Sequence, residues 1–113
     1  MDEIDTLLEK YNHFKYDQLR SIEHISESSK IITLVVQDDD GEDTNTINIE
    51  FNNIKDSKLL VNSVLSFLDM ASGVTLIKEN GLYGFAIGRG DAMQQVHNAP
   101  LYIIASDIKI EEK

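Results

Sequence analysis

The residue pattern predicts an α+β domain, an antiparallel β-sheet packed by one or two helices, on three observations. Two β-branched runs, "KIITLVV" and "TINIEF", flank a turn-forming stretch. A second pair of short alternating runs surrounds Asn80-Gly81. Two further segments carry apolar residues at helical spacing.

The first helix is predicted from Ile4, Leu7, Leu8 and Tyr11 at i, i+3, i+4 and i+7, with Asp2, Glu3 and Asp5 early enough to favour the positive end of the helix dipole. "QLRSIEHIS" follows as a first strand. In the next unit Ile47, Ile49 and Phe51 alternate inward against Asn48 and Glu50, so "KIITLVV" and "TINIEF" form a hairpin whose tip is "QDDDGEDTN". From Asp56 to Ser72 the residues Leu60, Val61, Val64, Phe67, Leu68 and Ala71 again follow helical spacing, with Asp56 or Ser57 as N-cap and Gly73 as stop. The β-branched Val61 and Val64 keep an extended conformation open there, and the fold would then be a mostly-β sandwich with a short N-terminal helix.

"VTLIKENGLYGFAIG" predicts two strands joined by a type I′ turn at Asn80-Gly81, with Tyr83, Phe85 and Ile87 alternating against Gly84 and Ala86. A turn of helix near Met93 to Val96 and a long last strand in "APLYIIASDIKIEE" complete the chain, with a change of side-chain phase near Ser106 and Asp107 of the kind a bulge causes. No repeat or linker divides the sequence, so residues 1–113 are expected to form one domain.

Twenty acidic against ten basic residues give a formal charge of −10, a field that repels nucleic acid and anionic membrane and attracts basic surfaces. The absence of cysteine removes disulfides, thiolate metal sites and a cysteine nucleophile. The acidic N-terminus "MDEIDTLLEKYNHF" is not a signal peptide, and the apolar run Leu59 to Ala71 is interrupted by Asn62, Ser63, Ser66 and Asp69. A soluble cytoplasmic protein is the expectation.

Motif chemistry points away from catalysis. Aligning Asp38, Asp40 and Gly41 to the third, fifth and sixth positions of an EF-hand loop leaves Val36 and Ile47 where the first acid and the bidentate glutamate belong. "GLYGFAIGRGDAM" has no Lys-Ser/Thr for a phosphate loop, and Met93 replaces the third glycine of the dinucleotide fingerprint. The tripeptide Arg89-Gly90-Asp91 is given no function. His13, His24 and His97 lie in separate segments without metal or base spacing. No cofactor, metal or catalytic residue is therefore expected.

What stands out is charge. Asp38, Asp39, Asp40, Glu42 and Asp43 place five carboxylates within six residues. Neighbouring unit charges about 6 Å apart repel by roughly 0.7 kcal/mol in water, a cost that a basic partner would reverse. These five are the candidate partner-binding residues, with Asp56, Glu111 and Glu112 as weaker ones.

The segments "FKYDQLRSIEHI", "IITLVVQDDDGED", "TINIEFNNIKDSKL" and "LYIIASDIKI", after a short N-terminal helix, resemble small acidic immunity proteins of bacterial polymorphic and contact-dependent growth inhibition toxin systems. The D-x-L-x-x-I opening strand and the "I-x-F-x-N-I" segment carry the likeness. The resemblance implies a non-enzymatic inhibitor that binds a cognate toxin domain, often a basic nuclease, in the cytosol and covers its active or substrate-binding surface. Two other classes stay open. A small-ligand protein or enzyme would use a pocket near Arg89, His97 and Tyr102, and a self-associating adaptor would expose a contiguous apolar patch.

Overall fold

The computed structural model describes residues 3–90 and 92–112; Asp2, counted among the early acids, and Asp91 of the Arg-Gly-Asp tripeptide lie outside the described residues. The chain order is α1 (Glu3–Lys10), β1 (Gln18–Ser26), β2 (Ser29–Gln37), β3 (Asp43–Lys58), β4 (Val74–Glu79), β5 (Leu82–Ile87), α2 (Met93–Val96) and β6 (Tyr102–Glu112), with 3-10 helices at Asn12–Phe14 and Asn62–Phe67. One six-stranded antiparallel sheet runs β1-β2-β3-β6-β5-β4. Its core face is covered by helical segments and not by a second sheet, which makes the fold α+β and sets the sandwich alternative aside.

The alternation seen in the sequence builds that core. Ile32 and Leu34 of β2, Ile47, Ile49 and Phe51 of β3, Phe85 of β5 and Ile103 of β6 are all fully or almost fully buried on one face. Burying each such side chain contributes roughly 1.5–3 kcal/mol. Ile4, Leu7 and Leu8 of α1 close this core from above, and Phe14 enters it from the following turn. On the opposite face α2 makes a smaller cluster, in which Val96 packs on Ala86 and Ile104.

The turn at Asn80-Gly81 has φ of 54° and 79°, the left-handed pair that a type I′ hairpin requires. The change of phase in β6 is also present: Ile103 and Ala105 belong to the main core, whereas farther along the strand Ile108 and Ile110 pack against it. The register shift that accompanies it lies in the partner strand, between Ile54 and Asp56 of β3, and Asn53, at φ 55°, turns the backbone just before it.

The segment from Asp56 to Ser72 departs from the expected α-helix. Asp56 and Ser57 do not cap anything; they are still in β3, opposite Ile104 and Ile103, and the strand ends only at Lys58. Six residues, Asn62–Phe67, form a 3-10 helix. The physical reason is competition for the would-be caps and the inward face. The Asp56 carboxylate accepts a hydrogen bond from Tyr102, the Asn62 side chain leaves its own helix to bond another strand, and Leu65 alone of this turn is buried. Val61 and Phe67, expected to point inward, are 68% and 83% exposed.

That Asn62 contact closes a sheet edge. β1 is an outer strand, and its Ile22 N–H, partly buried, donates to Asn62 Oδ1 at 2.9 Å. Exposed strand edges invite pairing with other chains, so a side chain that occupies one is protective. Asn62→Ala is expected to lower unfolding free energy by about 1–2 kcal/mol, the usual cost of stranding a partly buried donor, as read by urea denaturation.

Candidate functional site

The acidic stretch forms the tip of the β2–β3 hairpin, as its turn-forming residues predict. Asp38 organises it: its Oδ1 accepts the backbone N–H groups of Asp40 at 2.9 Å and Glu42 at 3.0 Å, and its own N–H donates to the Glu42 carbonyl. Gly41 supplies the left-handed residue at φ 81°. The five candidate acids therefore do different things. Asp39, Asp40 and Glu42 are exposed and make no ion pair among the described residues. Asp43 is held internally, because Arg20 of β1 grips both its oxygens at 3.1 and 3.3 Å and Gln37 donates to it at 3.0 Å. Those donors hold the Asp43 carboxyl below the usual aspartate range.

The weaker candidates are dispersed. Glu112 pairs with α1, accepting from Lys10 Nζ at 2.7 Å and from the Tyr11 hydroxyl at 2.8 Å, and these bonds depress its pKa. Glu111 stands on the face of the sheet away from the core, beside Lys109 and Glu50. Asp56 sits near the other end of the long β3 strand from the acidic tip.

Around Asp56 the structure gathers part of the proposed small-ligand cluster. His97 Nε2 lies 3.3 Å and the Tyr102 hydroxyl 3.1 Å from Asp56 Oδ2, and the His97 and Tyr102 rings meet edge to face at 5.4 Å. His97 Nδ1 is 3.2 Å from the Met93 carbonyl, so both ring nitrogens face acceptors. Arg89 does not join them. It lines a separate hollow with Thr75, Gln95 and Asn98, and lies near enough to His13 to add to the lowering of that histidine's pKa that burial mainly causes. The three-residue pocket anticipated from the sequence is thus divided, and what remains is a half-exposed contact that fastens α2 to β3 and β6. Among the described residues no three histidine or carboxylate side chains gather as a metal site.

Sequence reasoning missed a second feature beside the acidic tip. In a 3-10 helix residues three apart stack on one face. Val61, Val64 and Phe67, spaced by three, are all exposed and form an apolar ridge. Leu65 and Ser66 of the same turn line a hollow of about 300 Å³ bordered also by Tyr16, Asp17, Leu68, Asp69 and, at the root of the acidic hairpin, Gln37. Asp17 accepts the backbone N–H of Gln37, yet its burial pushes its carboxyl above the usual aspartate range. Nothing in the spacing signalled the ridge, because Asn62, Ser63 and Ser66 fall on or beside the polar face of the amphipathic helix that Leu60, Val61, Val64, Phe67, Leu68 and Ala71 would form.

The opposite shifts of Asp17 and Glu112 predict opposite pH dependence. Glu112 has a depressed folded-state pKa, so its contribution is present above the ordinary value of 4.5 and is lost as pH falls through the folded value. Asp17 has a raised one, so folding gains from its protonation at low pH and loses that gain as pH rises from the ordinary 3.8 through the folded value. Urea unfolding across pH should show Glu112→Gln weakening the protein only toward neutral pH, and Asp17→Asn strengthening it there.

Compared with known proteins, the chain matches no family model, no curated protein and no solved structure. No helix among the described residues is long and apolar enough to cross a membrane.

Proposed function

We propose that this protein is an immunity protein, a non-enzymatic inhibitor that binds a cognate toxin domain, a basic nuclease, and covers its active or substrate-binding surface in the cytoplasm. The observation that carries this is the hairpin tip, where Asp39, Asp40 and Glu42 project from an ordered turn with no basic side chain paired to them among the described residues. An ordered, unneutralised acidic projection is suited to a surface built to hold phosphate, because complementary charge raises association rates by one or more orders of magnitude at low salt. The net charge of −10 extends the same field over the whole molecule.

The test uses Asp39→Asn, Asp40→Asn and Glu42→Gln together, leaving Asp38 to hold the turn and Asp43 to pair with Arg20. The triple variant should fold with unchanged stability and associate with the toxin domain about tenfold or more slowly at low salt, the difference shrinking as salt is added. An association rate equal to that of the native protein at every salt concentration would remove the tip from the interface.

A further inference from the structure

We infer that the apolar ridge Val61, Val64 and Phe67, with the hollow lined by the same turn, is the docking centre for a protein partner that presents an arginine flanked by apolar side chains. This rests on the protein-binding reading above and adds the chemistry the partner must carry.

Three observations support it. The ridge is an exposed apolar strip on the same short turn whose Leu65 and Ser66 line the hollow, and Tyr16 at the border of the hollow is itself 79% exposed, so large apolar side chains stand in water next to the concavity. Contiguous exposed apolar surface of this kind marks contact sites. The hollow has the two-part lining that an arginine side chain fits: Leu65 and Leu68 for the aliphatic stem, Asp17 and Asp69 for the guanidinium. Burial of the Asp17 carboxyl carries a cost that an incoming cation relieves.

Charge also selects the occupant. A second copy of the chain would bring another −10 to the same face, whereas a basic protein meets the carboxylates of the hollow and, through Gln37, those of the hairpin tip. The tip then serves encounter and the ridge serves retention, since apolar anchors in a desolvated centre govern dissociation more than approach.

The test is an amide NMR titration of the intact protein with three capped tripeptides: acetyl-Leu-Arg-Leu-amide, acetyl-Leu-Gln-Leu-amide and acetyl-Gly-Arg-Gly-amide. The Leu-Arg-Leu peptide should shift amides of residues 16–19, 37 and 61–71, with affinity at least threefold above either control and at least threefold reduced by Asp17→Asn with Asp69→Asn. Equal binding of the glutamine peptide, shifts confined to residues 38–43 or spread over all acidic surfaces, no shifts at all, or shifts that depend on protein concentration without peptide would each overturn it. The last would identify a second copy as the occupant. With the toxin domain in hand, Val64→Ser with Phe67→Ser should raise the dissociation rate tenfold or more while leaving association nearly unchanged. Retention of native dissociation would remove the ridge while leaving the toxin-binding reading intact, and peptide binding without any toxin neutralised would do the reverse.

Discussion

Gly73→Ala is expected to destabilise the fold by about 3 kcal/mol or more, read as a lowered urea midpoint with an unchanged slope. Gly73 has φ of +77°, and a Cβ built there would stand 2.1 Å from the backbone oxygen of His13. Neither atom has room to yield. The His13 carbonyl belongs to a segment in which Asn12, His13, Phe14 and Tyr16 all take positive φ, held by burial of Phe14 and by the Tyr16 N–H bonded to the Met70 carbonyl at 2.8 Å. A methyl group at residue 73 would push this strained crossing away from β4 and loosen Phe14 with it. The hollow beside Tyr16 and Asp17 should open in the same variant, so loss of the Leu-Arg-Leu peptide signal is expected alongside the loss of stability.

Phe51→Ala is expected to cost about 3–5 kcal/mol, the range for emptying an aromatic site in a closed core. Phe51 is fully buried on β3, and its ring lies 5.9 Å from that of Phe85 on β5 at 54°. Between those two strands runs β6, so the aromatic pair spans the central strand and ties the β1-β2-β3 half to the β4-β5 hairpin. A double-mutant cycle with Phe85→Ala should return a coupling of about 0.5–1.5 kcal/mol beyond lost area.

Local chemistry made much of this fold legible. The Asn80-Gly81 turn, the inward set Ile47, Ile49 and Phe51, and the α1 stripe Ile4, Leu7 and Leu8 each depend on a period or a turn that neighbours in sequence determine. Strand order does not, because β6 reaches β3 across some fifty residues and leaves no periodic trace of which strand it joins. The Asp56 to Ser72 segment failed for a related reason. Its spacing satisfies an amphipathic helix, but the decision was made by Tyr102, Ile22 and Ile103, residues far away in sequence that recruit Asp56, Asn62 and Ser57.

The candidate site divides along the same line. The acidic tip was visible as composition, and the structure confirms its place on a hairpin turn. The capture of Asp43 by Arg20 was not, since 23 residues separate them, and the ridge was masked by the expectation that large apolar residues face inward. A pocket near Arg89, His97 and Tyr102 is expected from the sequence, while the fold places Arg89 in a separate hollow with Thr75 and Asn98 and joins only His97 and Tyr102.

The central position of β6 has a kinetic consequence. In the hydrogen-bonded ladder strands β3 and β5 are connected through it, and its ladder with β3 pairs Ile47 with Glu112 at one end and Lys58 with Tyr102 at the other. During synthesis the N-terminal meander and the β4-β5 hairpin emerge first, each with an open edge and half a core, and wait for residues 102–112 before they close on one another. Contacts of such long sequence separation slow folding toward the millisecond-to-second range typical of sheet proteins. Through that interval the net charge of −10 opposes pairing of those open edges with a second copy of the chain.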